Sequence, residues 1–273
     1  MKTKLLKKIN RAIRLLQSIE GEVEIAYSGG KDSDVILQLA KESGISFRAV
    51  YKNTTIDPPG TIKHVKEVGA EILHPKKNFG QLIEDKGLPN RFRRFCCAEL
   101  KEYKVADKVV IGIRRAESRK RGERYKEPTE CRYYGKKTEA NHVVQYYPIL
   151  DWTDEDIRDF VLDRGIKLHS LYYTEGGDID VTRRLGCMCC PLASRKKRIA
   201  EFKKYPLMLR YYARHANIFL KKKKLDYDDV FEWLVRDIFY STQSKFNKNK
   251  EKNLFDDKID YKSFLENYFK IKL

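Results

Sequence analysis

Apolar residues recur at helical spacing near the start of the chain: Leu5, Ile9, Ile13 and Leu16 predict an amphipathic helix over residues 3–19. A compact β-rich run, residues 23–27, follows, and a second apolar stretch begins at Val35. Further strand-like runs are expected at 46–53, 70–74, 109–114 and 143–149, with helical or loop segments between most of them. Strands alternating with helices predict an α/β fold, a mostly parallel sheet flanked by helices, with ligands at the carboxyl ends of the strands. Asp57-Pro58-Pro59-Gly60 breaks the pattern as a loop, and the acids of residues 151–156 mark a helix start. From Arg195 onward the pattern turns to basic helical segments, which divides the chain into residues 1–192 and a helical region, 193–273.

Between the first strand and the following helix stands Ser28-Gly29-Gly30-Lys31-Asp32-Ser33. A strand feeding a Gly-Gly turn and then a helix leaves backbone N–H groups open at the helix N-terminus, where the macrodipole favours an anion. The glycines let the backbone approach phosphate oxygens, Ser28 and Ser33 add hydroxyls, and Lys31 adds a point charge. The loop is not a Walker sequence, because Ile25 stands where the first glycine belongs and Asp32 follows the lysine. A capped strand-to-helix turn alone needs neither the lysine nor both serines.

The 273 residues carry a net charge of +18 and 41% hydrophobic content, enough apolar material for a core without disulfides. That charge favours polyanionic partners, although a solvated lysine-rich surface has the same composition. No run approaches the ~18 apolar residues of a membrane span and no apolar segment follows the basic start, so a cytoplasmic protein with reduced cysteines is expected. Cys96-Cys97 and Cys187-Met188-Cys189-Cys190 are then candidate ligands, with C-x-x-C spacing between Cys187 and Cys190. The residues leave three alternatives open: a [4Fe-4S] cluster, a Cys₄ zinc site, and a redox pair or unligated thiols. Cys189 is a spare thiol beside the set, and Cys131 an ordinary one.

Taken in order, these motifs resemble the phosphoadenosine phosphosulfate reductase family, within the adenine nucleotide α-hydrolases. The matching residues are 28–33, Asn53-Thr54-Thr55, Cys96-Cys97, residues 112–118, 148–152, and Arg184 through Pro191. The resemblance implies ATP or a related adenylyl nucleotide on Ser28, Gly29, Gly30, Lys31, Asp32, Ser33, Asn53 and Thr54. It also implies a [4Fe-4S] cluster on Cys96, Cys97, Cys187 and Cys190. Reductases of this family use a cysteine near the C-terminus as nucleophile, whereas these 273 residues contain none after Cys190. Cys131 or Cys189 would have to replace it. The Asp-Thr-Gly pattern of the reductases is also missing from residues 53–61.

What remains predicts activation by adenylylation. A substrate oxygen attacks the α-phosphate, pyrophosphate leaves, and sulfur then displaces AMP, as in the DNA phosphorothioation sulfurtransferases and tRNA thiolases that this combination resembles. Lys31, Asp32 and Arg114 are the expected catalytic residues, with Mg²⁺ on the phosphates. Arg114, Arg115, Glu117, Ser118, Arg119 and Arg184 are the expected substrate contacts, because guanidinium forks hold phosphate. A sulfur donor such as a cysteine desulfurase is an implied partner. In the C-terminal region, residues 195–198, Lys203, Lys204, Arg210, Arg214 and residues 221–224 alternate with Phe202, Tyr205, Tyr211, Tyr212 and Phe219. Cations on phosphates and aromatics on unpaired bases would suit DNA or RNA. Two other functions fit the same residues: a sulfonucleotide reductase, and a non-enzymatic nucleotide-sensing, nucleic-acid-binding module with structural zinc.

Overall fold

The computed structural model describes residues 3–223, 229–240 and 260–273. In chain order its elements are α1 (Thr3–Gln17), β1 (Val23–Tyr27), α2 (Lys31–Ser43), β2 (Phe47–Lys52), α3 (Thr61–Glu67) and β3 (Glu71–Leu73). There follow α4 (Phe79–Lys86), α5 (Phe95–Leu100), β4 (Lys108–Val110), α6 (Arg119–Arg124), β5 (Thr129–Tyr133), β6 (His142–Tyr146) and α7 (Asp154–Asp163). The last are α8 (Arg195–Lys204), α9 (Pro206–Lys222), α10 (Val230–Phe239) and α11 (Tyr261–Phe269). Among the described residues no helix is long and apolar enough to cross a membrane.

The chain forms two compact units. The first comprises residues 1–53, 57–75 and 98–186, and the second residues 54–56, 76–97 and 187–273. The change of composition near residue 193 thus differs from the line of contact. Residues 76–97 belong with the C-terminal helices through the packing of α4 on α9, a long-range pairing that composition does not record.

The sheet of the first unit runs β3-β2-β1-β4-β6-β5. Its strands are parallel except β5, which is antiparallel to β6 at one edge. In register, Ile25 of β1 stands between Ala49 of β2 and Val110 of β4. β1 is therefore where the strand order reverses, the place where such sheets open a crevice for ligands. Val23, Ile25 and Tyr27 on one face and Glu24 on the other are buried, as in a strand covered on both faces. α1 packs through Leu5, Ile9, Ala12 and Leu16, with Ala12 taking the seam expected of Ile13. The strand expected over 109–114 stops at Val110. Gly112 passes so close to α2 that a Cβ there would lie 3.2 Å from the Asp32 carbonyl carbon. The expected helix start near 151–156 is α7, whose Thr153 and Asp156 form a reciprocal capping box.

A buried polar chain fixes the end of β1 against α2. Tyr27 donates its hydroxyl to Asp34, whose carboxylate oxygens also lie 3.0 and 3.2 Å from His64 Nε2. The His64 ring meets His169 edge-on with centroids 6.0 Å apart, and His169 Nδ1 accepts the Leu171 N–H at 3.1 Å. α2, α3 and the turn at Ser170–Tyr172 are thereby held to one another. In the second unit, Gly80 lets α4 touch α9: a Cβ there would come within 2.4 Å of the His215 ring. Phe202 packs between Tyr212 and Phe269, and the buried Arg198 pairs with Asp237 at 2.6 Å.

Removing one partner of a buried ion pair strands the other charge. Arg198→Ala is expected to lower stability by about 3–5 kcal/mol, and Arg198→Met with Asp237→Leu to recover most of the loss. Urea unfolding followed at Trp233, the tryptophan of that unit, measures both. In the first unit, burial and then the neighbouring His64 hold the His169 imidazole below its ordinary pKa. The unfolded chain takes up that proton near about pH 6.5 while the folded chain resists it, so stability should fall below that pH and hold above it. Melting temperatures between about pH 8 and about pH 5.5 should show a shallower loss in His169→Gln than in the parent.

Candidate functional site

The loop between β1 and α2 is built by its own side chains. Gly29 has φ of 72°, and a Cβ on it would meet both Leu185 and Thr61 at 3.3 Å, so glycine is required twice over. The Ser28 N–H donates to Ser33 Oγ at 3.2 Å, and Ser33 Oγ donates to the Gly30 carbonyl at 2.7 Å. The hydroxyl of Ser33 therefore closes the loop. No side chain caps α2, since Gly30 occupies the N-cap position, and the helix start opens on the cavity with its positive dipole end.

That cavity, about 430 Å³, lies in the first unit at the carboxyl ends of β1, β2 and β4. Ser28, Gly30, Lys31, Asp32 and Ser33 form its floor, with Lys52, Arg121, Glu117, Tyr172 and Arg184 among its walls. It is large enough for a nucleotide. Lys31 is only 3% exposed; its Nζ lies 3.0 Å from Asp32 and 5.7 Å from the centre of the Tyr172 ring. Lys52 pairs with the buried Glu24 at 3.6 Å, and burial lowers the lysine's pKa while raising the carboxyl's. Burial, and then the charge of Arg184, lower that of Arg121. Lys52, Arg121 and Tyr172 were not singled out by sequence. Only Lys52 carried a signal, as the last residue of a strand that should end at the ligand.

The predicted arginines divide. Arg114 is 1% exposed, and its guanidinium donates to Asp32 Oδ1 at 2.7 Å, the Trp152 carbonyl at 3.2 Å and Asp154 Oδ1 at 2.7 Å. It is thus a buried tie holding Asp32, not a wall of the cavity. This corrects its expected contact with substrate. Arg115 is similarly engaged, by the Tyr125 carbonyl at 2.8 Å, by Asp151 and by the Lys126 carbonyl. Arg119 points to solvent, 92% exposed beside Glu123, and Ser118 caps α6 by accepting the Arg121 N–H at 3.3 Å. Glu117 and Arg184 do reach the cavity, paired at 3.2 Å, with Arg121 on the same carboxylate. Asn53 and Thr54 are not among its walls. The Asn53 N–H donates to the Leu73 carbonyl, and buried Thr54 accepts the Cys187 thiol at 3.6 Å in the second unit.

That unit also holds Cys96, Cys97, Cys187 and Cys190. A hydrogen bond with Cys97, burial, and the charges of Cys97, Cys190 and Cys187 push the Cys96 thiol up. The turn bearing Cys187 and Cys190 is pinned by three backbone groups. The Met188 N–H donates to the Ile56 carbonyl at 2.8 Å, the Cys189 carbonyl accepts the Tyr212 hydroxyl at 3.2 Å, and the Cys190 carbonyl accepts the Ala193 N–H at 3.0 Å. Cys189 itself adopts a left-handed φ of 52°, a conformation a non-glycine residue keeps only where the surroundings impose it. Its thiol is fully buried, and burial pushes its pKa up to about 12, so it is an inert core group. Cys131 is exposed on β5. Among the described residues, no three His, Cys, Asp or Glu side chains are gathered as ligands for one ion.

The basic C-terminal region also divides. Arg195, Lys196 and Lys197 are exposed, whereas Arg198 is buried. Arg210 donates to the Lys272 carbonyl at 2.6 Å, and Lys224 lies outside the described residues. Phe202, Tyr212 and Phe219 are core, which removes them as stacking platforms and leaves Tyr205 and Tyr211 half-buried.

Comparison with known proteins adds a family. Residues 22–193 match the phosphoadenosine phosphosulfate reductase domain. An uncharacterized protein of Methanocaldococcus jannaschii is 27% identical over 67% of this chain and 45% of its own length. An uncharacterized 37.8 kDa protein of Escherichia phage 186 is 35% identical over 50% of this chain and 42% of its own. The chain therefore spans less than half the length of these two relatives. The phosphoadenosine 5'-phosphosulfate reductase of Alkalilimnicola ehrlichii is 26% identical over 62% of this chain and 74% of that protein. A solved structure of the U34-tRNA thiolase NcsA from Methanococcus maripaludis, with its [4Fe-4S] cluster, is similar over 82% of both chains at 17% identity and a TM-score of 0.42. Its match to the domain over residues 22–193, more than half of its length, makes this chain a member of the phosphoadenosine phosphosulfate reductase family.

Proposed function

We propose that this chain is an ATP-pyrophosphatase-type sulfurtransferase that activates an oxygen of an anionic acceptor, a nucleic acid, and exchanges it for sulfur. The observation that carries the reading is the cavity at the head of α2, with a phosphate-sized loop on its floor and Lys31, Arg121 and Arg184 around it. An acceptor oxygen attacks the α-phosphorus of ATP, and the electron pair of the breaking bond leaves with pyrophosphate. Lys31, Arg121 and Arg184 would meet the growing negative charge on the phosphates, with Mg²⁺ accompanying the nucleotide. Arg114 acts one step away, orienting Asp32, which orients Lys31. A sulfur nucleophile at the oxidation level of sulfide then displaces AMP. A cysteine desulfurase with a thiol reductant is one source of such sulfur.

The adjacent Cys96-Cys97 and the C-x-x-C spacing of Cys187 and Cys190, all four in the second unit, support these four as the ligands of a [4Fe-4S] cluster, which suits thiolate-only donor sets. When bound, the cluster would supply a site for sulfur chemistry. The chain's own part is to hold the thiols on α5 and on the pinned 187–190 turn. The buried state of Cys189 weighs against a sulfonucleotide reductase that uses it as nucleophile.

Lys31→Met is expected to slow ATP-dependent pyrophosphate release by about 100-fold with little loss of fold, since loss of one preorganised charge-stabilising group has roughly that effect. Sulfite released from a sulfonucleotide and a thiol, without pyrophosphate chemistry, would instead make the chain a reductase. For the thiol site, anaerobic protein should contain about four irons and sulfides and absorb broadly near ~400 nm, and Cys187→Ser should lose both. Stoichiometric zinc without sulfide would overturn the cluster and leave the nucleotide-sensing module as the better account.

A further inference from the structure

Between α4 and α5 the residues Arg91, Phe92, Arg93 and Arg94 are exposed in succession. Phe92 keeps 97% of its surface in water, more than any other large apolar side chain among the described residues. The turn displaying it is well defined. Asn90 and Arg93 exchange backbone hydrogen bonds at 3.3 and 3.1 Å, and Asn90 Oδ1 accepts the N–H groups of Phe92 and Arg93 at 2.9 and 3.0 Å. Arg93 also donates to the Lys86 carbonyl. An aromatic ring carried on a closed turn between arginines has lost its hydrophobic burial and stands on a fixed backbone.

The same turn is tied to the thiols. Arg91 donates to the Ala193 carbonyl at 3.4 Å, and the Ala193 N–H donates to the Cys190 carbonyl. Just beyond, Ser194 caps α8 and the exposed Arg195, Lys196 and Lys197 begin it, with no acid in that first turn. One surface thus combines an exposed ring, two sets of cations and the turn that carries a proposed cluster ligand.

We propose that this surface holds a single-stranded nucleic acid, with Phe92 stacked on an unpaired base and Arg91, Arg93, Arg195 and Lys196 on the flanking phosphates. Every base offers a π-face, and guanidinium and ammonium groups neutralise phosphates without regard to sequence. A duplex hides the faces of its bases in the stack. The proposal rests on the sulfurtransferase reading and assigns the acceptor's binding surface to it: the strand lies against the Cys190 turn.

The test uses the whole chain and a fluorescein-labelled strand of about 15 nucleotides, as DNA, as RNA and as the DNA duplex, read by anisotropy without ATP. Single strands should bind more tightly than duplex, with affinity falling as salt rises. Phe92→Ala should weaken that binding about 10-fold or more, while Phe92→Trp should retain it and lose emission when the strand is added. Arg195→Ala should reduce the salt slope by about one unit. The sugar that binds better names the acceptor class. Equal binding by Phe92→Ala and the parent, an unmoved Phe92→Trp emission at saturation, or a preference for duplex would overturn the proposal. A chain that binds strands through Phe92 yet releases no pyrophosphate would overturn the sulfurtransferase reading and leave this surface standing.

Discussion

The buried guanidinium of Arg114 governs the cavity at the head of α2. Taking an arginine out of water is costly, and the cost is offset only when its donors find fixed, charged acceptors. Asp32, Asp154 and the Trp152 carbonyl supply them, and so the exit of β4 is fastened to the first turn of α2 and the start of α7. The consequence reaches Lys31, whose Nζ shares the carboxylate of Asp32. A lysine is otherwise a flexible point charge with much rotamer freedom to lose. Here its partner is already immobilised, so the charge faces the cavity with its geometry set in advance.

What the sequence disclosed depended on whether a feature was local. The glycine turn between β1 and α2, the strands β1 to β3 and the capped start of α7 were legible because period-two runs, Gly29-Gly30 and Thr153 with its early acids act over a few residues. β5 was missed because Thr-Glu-Cys-Arg-Tyr is a polar, half-exposed edge strand that owes its pairing to β6. Arg114 and Arg115 look in sequence like free phosphate forks. Their partners Asp32, Asp151 and Asp154 lie far enough away in the chain that only the fold shows them already engaged. Arg121 was overlooked for the opposite reason: in Arg-Lys-Arg-Gly-Glu-Arg it is one cation among several, and only the turn of α6 selects it for the cavity wall.

The C-terminal helices show the same limit. Their alternation of cations and aromatics matches a stacking surface, yet the period of α8 and α9 turns Phe202, Tyr212 and Phe219 inward. Arg198 goes with them, one residue beyond three exposed cations, and finds Asp237. Composition is blind to which side of a helix a residue occupies. The most exposed ring among the described residues, Phe92, sits outside that basic region altogether, in a segment that joins the C-terminal unit only through the fold.

Charge is used differently in the two units. The cavity at the head of α2 is lined by the cations Lys31, Lys52, Lys101, Arg121 and Arg184, but also by Glu24, Asp32, Glu102 and Glu117. Near-balance of charge in a partly buried space favours recognition by geometry, because Lys31, Lys52, Arg121 and Arg184 are already oriented by carboxylates and salt screens such pairs little. The exposed residues at 91–94 and 195–197 carry cations without an interleaved acid. Their attraction for an anion is long-ranged, insensitive to shape and weakened by salt. A small nucleotide with a fixed arrangement of phosphates suits the first kind of site. An extended polyanion, whose charges repeat while its bases vary, suits the second, and an acceptor held by repeating charge needs a separate contact to set its register. An exposed ring on a closed turn is such a contact, since stacking fixes where a base lies while leaving its identity unread.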